Sequence, residues 1–163
     1  MYRWGVDIRD TAPGDAALLA AGLRAADRAE LDAWGWPDHC NAIEVSVSSS
    51  EWSHTAWHNG RLICIVGLGR RDDSTGVPWM LATDQIHRHQ RALARASREY
   101  TAAMLMRYPR LLNMVHADNA TSIAWLTRLG FELYPPQPHP KTGALFHHFE
   151  MHAHGTDRAT GQG

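Results

Sequence analysis

The chain has 163 residues, 44% hydrophobic and 20% charged, with a formal net charge of −1 at pH 7. That length and composition predict one globular domain with room for a core. The near-neutral balance excludes a general nucleic-acid binder, which needs a phosphate-neutralising excess of positive charge. Of the 16 basic residues only Lys141 is a lysine, and the two cysteines, Cys40 and Cys64, give neither a disulfide framework nor a zinc spacing. No apolar run approaches the roughly 20 residues needed to span a bilayer. The start MYRWGVDIRD does not read as a signal peptide, and none is expected. The expectation is a cytoplasmic protein without membrane or nucleic-acid partners.

Residues 2–9 read as a first strand. From Thr11 the chain carries helix signals: Thr11 as a cap, Pro13 in the first turn, and Leu19, Leu23 and Ala26 at helical spacing. This helix, or a broken pair, is expected to end near Gly35-Trp36-Pro37. Next, WSHTAWHNGRLICIVGLGRR predicts a hairpin, because Asn59-Gly60 favours a tight primed turn. A second turn at 72–76 leads into a strand over 77–83, where Pro78 suits an edge or an irregular strand.

Residues 87–108 predict a long helix ended by Pro109. Leu93, Ala96, Tyr100, Ala103 and Met104 share one arc, and Arg88, Arg91, Arg95 and Arg98 the opposite one. A strand over 111–117 follows, then a short helix from Ala120. Asn119 is placed to cap that helix, Ile123, Leu126 and Leu129 to bury one side of it, and Gly130 to stop it. ALFHHFEMH, 144–152, predicts a last strand, and the polar, glycine-rich stretch 153–163 a flexible tail. The order of elements is that of a mixed α/β layer structure.

The stretch from the penultimate strand onward resembles the late motif of the GCN5-related N-acetyltransferase (GNAT) superfamily, with Asn119, Ser122, Leu126, Gly130 and Phe131 at the matching positions. Longer pieces, RAADRAELDAWG, PWMLATDQI and the run from Asn119 to FHHFE, are similar to the GNAT-like proteins of tailed phages related to podovirus internal virion protein A. The resemblance implies a single GNAT-fold α/β domain over residues 1–152, a mixed central sheet flanked by helices. It implies acetyl-CoA as co-substrate and an amine as acceptor. Transfer would occur by direct attack, in the host cytoplasm or in association with the virion. The alternative it carries is a catalytically inert phage protein used in virion assembly or in binding a host factor.

Site residues follow from the same resemblance. The pantetheine arm is expected between strands 77–83 and 111–117, on backbone groups of Met80, Leu81 and Ala82, with Asn119 on the cofactor side. The pyrophosphate loop is TDQIHRHQRAL, which lacks the glycines of the superfamily, so Arg88 and Arg91 are expected to supply phosphate contacts from side chains. The position where these enzymes commonly carry a proton-donating tyrosine is Leu126, and Ser122 and Tyr134 are the hydroxyls left to replace it. For the base the resemblance directs attention to Asp27, Glu30, Asp84 and His147. His147 comes first because imidazole titrates near neutrality. It shares a strand face with Leu145, Phe149 and Met151, and a histidine in such an apolar face is more often a satisfied core residue. Glu30 and Asp27 read first as helix-surface charges or as partners of Arg24 and Arg28. His148, Glu150 and His152 share a face but have no visible fourth ligand, and no metal site is expected.

Overall fold

The computed structural model describes residues 2–3 and 5–154; the expected tail lies, from residue 155, outside the described residues. The first strand is two, β1 (Tyr2–Arg3) and β2 (Val6–Asp10). They are joined through Gly5 at φ 81, a left-handed conformation that glycine adopts without steric cost. The helical stretch breaks into α1 (Asp15–Gly22) and α2 (Ala25–Trp34). Thr11 is not the cap of α1. Gly14 occupies that position, while the Asp15 carboxylate accepts from the Ala12 N–H and the Thr55 hydroxyl. A helix not foreseen, α3 (His39–Ser48), starts at Asp38, whose side chain accepts from the Asn41 N–H at 3.0 Å.

The hairpin forms as expected. Strands β3 (Ser50–His58) and β4 (Arg61–Arg70) turn at Asn59 and Gly60, both with positive φ. β5 (Thr75–Ala82) follows, then a 3-10 turn over Asp84–Arg88 that the Thr83 hydroxyl caps. The long helix α4 therefore begins at Gln90 and runs to Arg107. Arg88 lies before it and out of phase with Arg91. Leu93, Ala96 and Met104 are buried from α4, whereas Ala103 is exposed. β6 (Arg110–His116), α5 (Ala120–Leu129) and β9 (Leu145–His152) match expectation. Two short strands, β7 (Glu132–Leu133) and β8 (Gln137–Pro138), add to the edge of β9.

Among the described residues these strands form one sheet in the order β1-β2-β3-β4-β5-β6-β9-β7, with β8 also on β9. Helices α1, α2 and α3 cover one face against Ile65 and Leu81. α4 and α5 cover the other against Leu68, Val115 and Phe149. This is the single α/β domain with a mixed sheet flanked by helices that the sequence predicted, and all its strand pairs but β5–β6 are antiparallel among the described residues.

One junction in the sheet is parallel, and it is incomplete. β5 and β6 pair only at Thr75↔Arg110 and Gly76↔Leu111, then diverge. Gly76 lets them converge there, since an added Cβ would lie 2.7 Å from the Tyr108 ring and 2.9 Å from Leu68. Pro78 accounts for the divergence. Its ring nitrogen has no hydrogen to give to β6, and its carbonyl accepts from the Asn113 side chain at 2.8 Å instead of from backbone.

Candidate active site between the diverging strands

A strand presents N–H and C=O of alternate residues to alternate sides. On β5 the side facing the gap belongs to Pro78, Met80 and Ala82, while Leu81 pairs with Ile65 of β4. Buried backbone groups must find partners, and helix α2 supplies several. The Ala82 N–H donates to Asp27 Oδ2 at 2.8 Å, and the Ala82 carbonyl accepts from the Arg24 N–H at 3.0 Å. Leu23 and Thr83 complete a single antiparallel bridge there. On the opposite strand the His116 N–H donates to Glu30 Oε1 at 2.7 Å. Two carboxylates one turn apart on α2 thus hold the open ends of both strands, and of the gap-facing positions on β5 Met80 is the one left uncommitted.

A polar cluster fills the space beside them. Arg24 grips Asp27 with two hydrogen bonds, 2.8 and 3.0 Å, and both residues are buried, at 6% and 1% exposure. The same guanidinium donates to Ser122 Oγ at 2.9 Å, joining α2 to α5. Asn119 is buried at 2% exposure and caps α5 by accepting the Ser122 N–H at 3.2 Å. Its amide nitrogen makes no hydrogen bond of regular geometry, yet it lies close enough to the Glu30 carboxylate to favour its charged form. Burial pushes the Glu30 carboxyl up to about 7, with the Asp27 charge adding to the rise. The His116 N–H, the nearby Asn119 amide and Arg24 work against it without cancelling it.

The cleft around this cluster holds about 1040 Å³ and reaches both faces of the sheet. Glu30, Trp34 and Trp36 line it from one side, and Arg91, Trp125 and Leu126 from the other. Met80, Leu81, Arg24 and Ser122 line it as well.

The sequence-derived candidates therefore separate. Glu30, Ser122, Met80 and Leu81 line the cleft, while Asn119 and Ala82 are buried beside it and are not among its lining residues. His147 and Tyr134 are not among the lining residues: the His147 ring bonds the Tyr134 carbonyl at 2.7 Å, and the Tyr134 hydroxyl donates to Glu150 at 3.1 Å. Arg91 lines the cleft, whereas Arg88 is exposed outside it. Asp84 is exposed beside His87 at 4.0 Å. Arg24 was read from sequence only as a partner for Asp27 and Glu30; no local pattern ties it to Ser122, 98 positions away. Among the described residues no group of three or more His, Cys, Asp or Glu side chains is arranged to hold a metal ion.

No family model matches the chain, and no curated protein matches it in sequence. Solved structures do match its shape. Ard1 from Thermoplasma volcanium superposes with a TM-score of 0.71 at 10% identity, covering 91% of this chain and 98% of that one. An aminoglycoside N(6')acetyltransferase from Legionella pneumophila gives 0.68 at 9% identity, covering 93% and 94%. A GNAT family acetyltransferase from Elizabethkingia anophelis with acetyl-CoA bound gives 0.62 at 13%, covering 93% and 100%. The chain has the fold of the GNAT acetyltransferases. No helix is long and apolar enough to cross a membrane among the described residues.

The residues present fit a pantetheine arm over part of the gap. The Met80 edge of β5, which lines the cleft beyond the two paired positions, is open to an amide of the arm, whereas the Asn119 amide lies beside the Glu30 carboxylate. The Ala82 edge is already taken by Arg24 and Asp27.

Proposed function

We propose that the protein is an N-acyltransferase using acetyl-CoA as donor and an amine as acceptor, by direct attack of the amine on the thioester. The observation that carries this reading is the Glu30 carboxyl beside the gap between β5 and β6, with its pKa pushed up to about 7. A base works best when it titrates near the working pH, and an ordinary surface carboxylate is too acidic to hold an amine proton. Glu30 takes the proton from the attacking amine, and the Met80 N–H and the Asn119 amide orient the donor. His89, the N-cap of helix α4, supplies no side-chain cap, so the first N–H groups of the helix, with Arg91, offer phosphate contacts in place of the missing glycine loop. Acceptors enter from the side of Trp34 and Trp36.

Calorimetric titration with acetyl-CoA tests the reading. We expect saturable binding, weakened about tenfold by Arg91→Ala through loss of one charge-assisted contact and little changed by Arg88→Ala. No heat at millimolar ligand would end it.

A second reading has its own observation. Leu23, Arg24 and Asp27 occupy one end of the edge on which a pantetheine arm would pair, and Leu126 offers no proton. This favours an inert GNAT-fold protein of the tailed-phage type, acting in virion assembly or in binding a host factor. The same titration separates the two.

A further inference from the structure

Three tryptophans line the cleft on the face of the sheet that α1, α2 and α3 cover. Trp34 stands one helical turn beyond Glu30 on α2, so the two side chains are neighbours. Trp36 and Trp79 pack against the core around Leu31, Ile65 and Leu81, and all three indoles are half-buried. The rings are braced from behind. Trp34 meets Phe146 at 5.3 Å and His139 at 5.2 Å, edge-on to both. The Trp79 N–H donates to Ser50 Oγ at 2.7 Å, and its ring lies so close over Gly67 that a Cβ there would sit 2.5 Å from it. The loop that carries His139 is fastened to the end of α2, because the Thr142 hydroxyl donates to the Ala33 carbonyl at 2.6 Å. The result is a fixed aromatic wall beside a single carboxyl group.

Charge narrows what can lie against that wall. Among the described residues that line the cleft Glu30 is the only acid, against five arginines. Asp27 beside it is taken by Arg24 and the Ala82 N–H, and Asp32 pairs with His39 at 2.7 Å. One ammonium group therefore finds one carboxylate, and a second finds none. Holding that second charge out of water, in a cleft rich in guanidinium groups, is unfavourable. Spacing sets the length of the ligand. Residues four apart on a helix have Cβ atoms about 5–6 Å apart, a separation that a two-carbon linker between ring and nitrogen spans. We infer that the acceptor is a small arylalkyl monoamine, with its ring against the tryptophans and its nitrogen at Glu30, and that the site rejects polyamines and sugars bearing several amines. The inference rests on the acetyl-CoA reading above. Ring contacts with Trp34 add to the burial of the acceptor's own ring, and an indole face attracts the ammonium form as it enters.

The test uses the full chain, saturated with coenzyme A and titrated with phenethylamine or with spermidine, while heat and tryptophan fluorescence are followed. Phenethylamine should bind about tenfold or more tightly than spermidine and should quench the fluorescence. Trp34→Ala should weaken phenethylamine about tenfold through loss of a ring contact, and Trp34→Phe, which keeps an aromatic face, should recover most of that. Acetyl-CoA affinity should stay at the wild-type value in both variants, which also checks that they fold. If Trp34→Ala does not fold, the comparison of the two amines on the wild type decides. If acetyl-CoA binds but spermidine binds as tightly as phenethylamine, or a folded Trp34→Ala holds phenethylamine as wild type does, the inference is overturned and the acetyl-CoA reading survives. If acetyl-CoA does not bind wild type, both fall.

Discussion

The two edges of β5 differ in kind. Toward β4 the strand pairs at seven consecutive positions, from Cys64↔Ala82 to Arg70↔Gly76, and backbone satisfies backbone. Toward β6 it pairs at two and then parts from its neighbour. The closed edge needs nothing from the rest of the chain. The parted edge leaves polar backbone groups in a low-dielectric gap, and each becomes a demand on something else. Asn113 meets one, Asp27 and Arg24 meet two, and Glu30 meets another across the gap. The cost of opening a sheet is thus a set of buried side chains drawn from a distant helix, and those side chains are the ones with chemistry to offer.

The largest effect should come from removing the group that closes the parted edge. Asp27→Ala leaves Arg24 as a buried unpaired charge and the Ala82 N–H without an acceptor. We expect a loss of about 3–5 kcal/mol in urea unfolding. A change near zero would mean that the Arg24–Asp27 pair is not formed.

Next comes Glu30. Its folded pKa of about 7 lies above the ordinary carboxyl value of 4.5. The native state therefore holds this proton more tightly than the unfolded chain does. The contribution to stability is present at low pH and is lost as pH rises from the unfolded value through about 7. The loss is on the order of 3 kcal/mol and levels off above that. Glu30→Gln keeps an oxygen for the His116 N–H and should flatten this slope, in unfolding curves measured at about pH 5 and about pH 8. An unchanged slope would show Glu30 to be solvated and the comparison of edges overdrawn.

The smallest effect on stability sharpens the contrast most. Asn119→Ser keeps a capping oxygen for the Ser122 N–H but drops the amide nitrogen. Stability should change by only a few tenths of a kcal/mol. Acetyl-CoA affinity should fall about tenfold, by the loss of one hydrogen bond. Equal affinity in calorimetry would leave the amide without a ligand role.

Much of the frame was legible from local signals. Asn59-Gly60 fixes the hairpin because a tight primed turn needs positive φ at both positions. Asn119 and Gly130 bound α5 because each acts on the turn next to it. Pro78 marked β5 as irregular, and it is where the strands separate. α4 starts later than its residue pattern predicts because a 3-10 turn and an α-helix share polar, helix-forming residues. Their hydrogen bonds differ by one position, which is enough to turn Arg88 out of the cleft.

The sequence by itself determined the elements, their order and the late motif, since those depend on residues a few places apart. Tertiary structure decided which carboxylates are buried and what they hold. Asp27 meets Ala82 across 55 positions, Glu30 meets His116 across 86 and Arg24 meets Ser122 across 98. On a bare helix Glu30 is one more surface acid, and His147 looks the better base. Burial against the end of a parted strand shifts Glu30 toward neutrality, and desolvation is a property of the folded surroundings that no spacing of residues encodes.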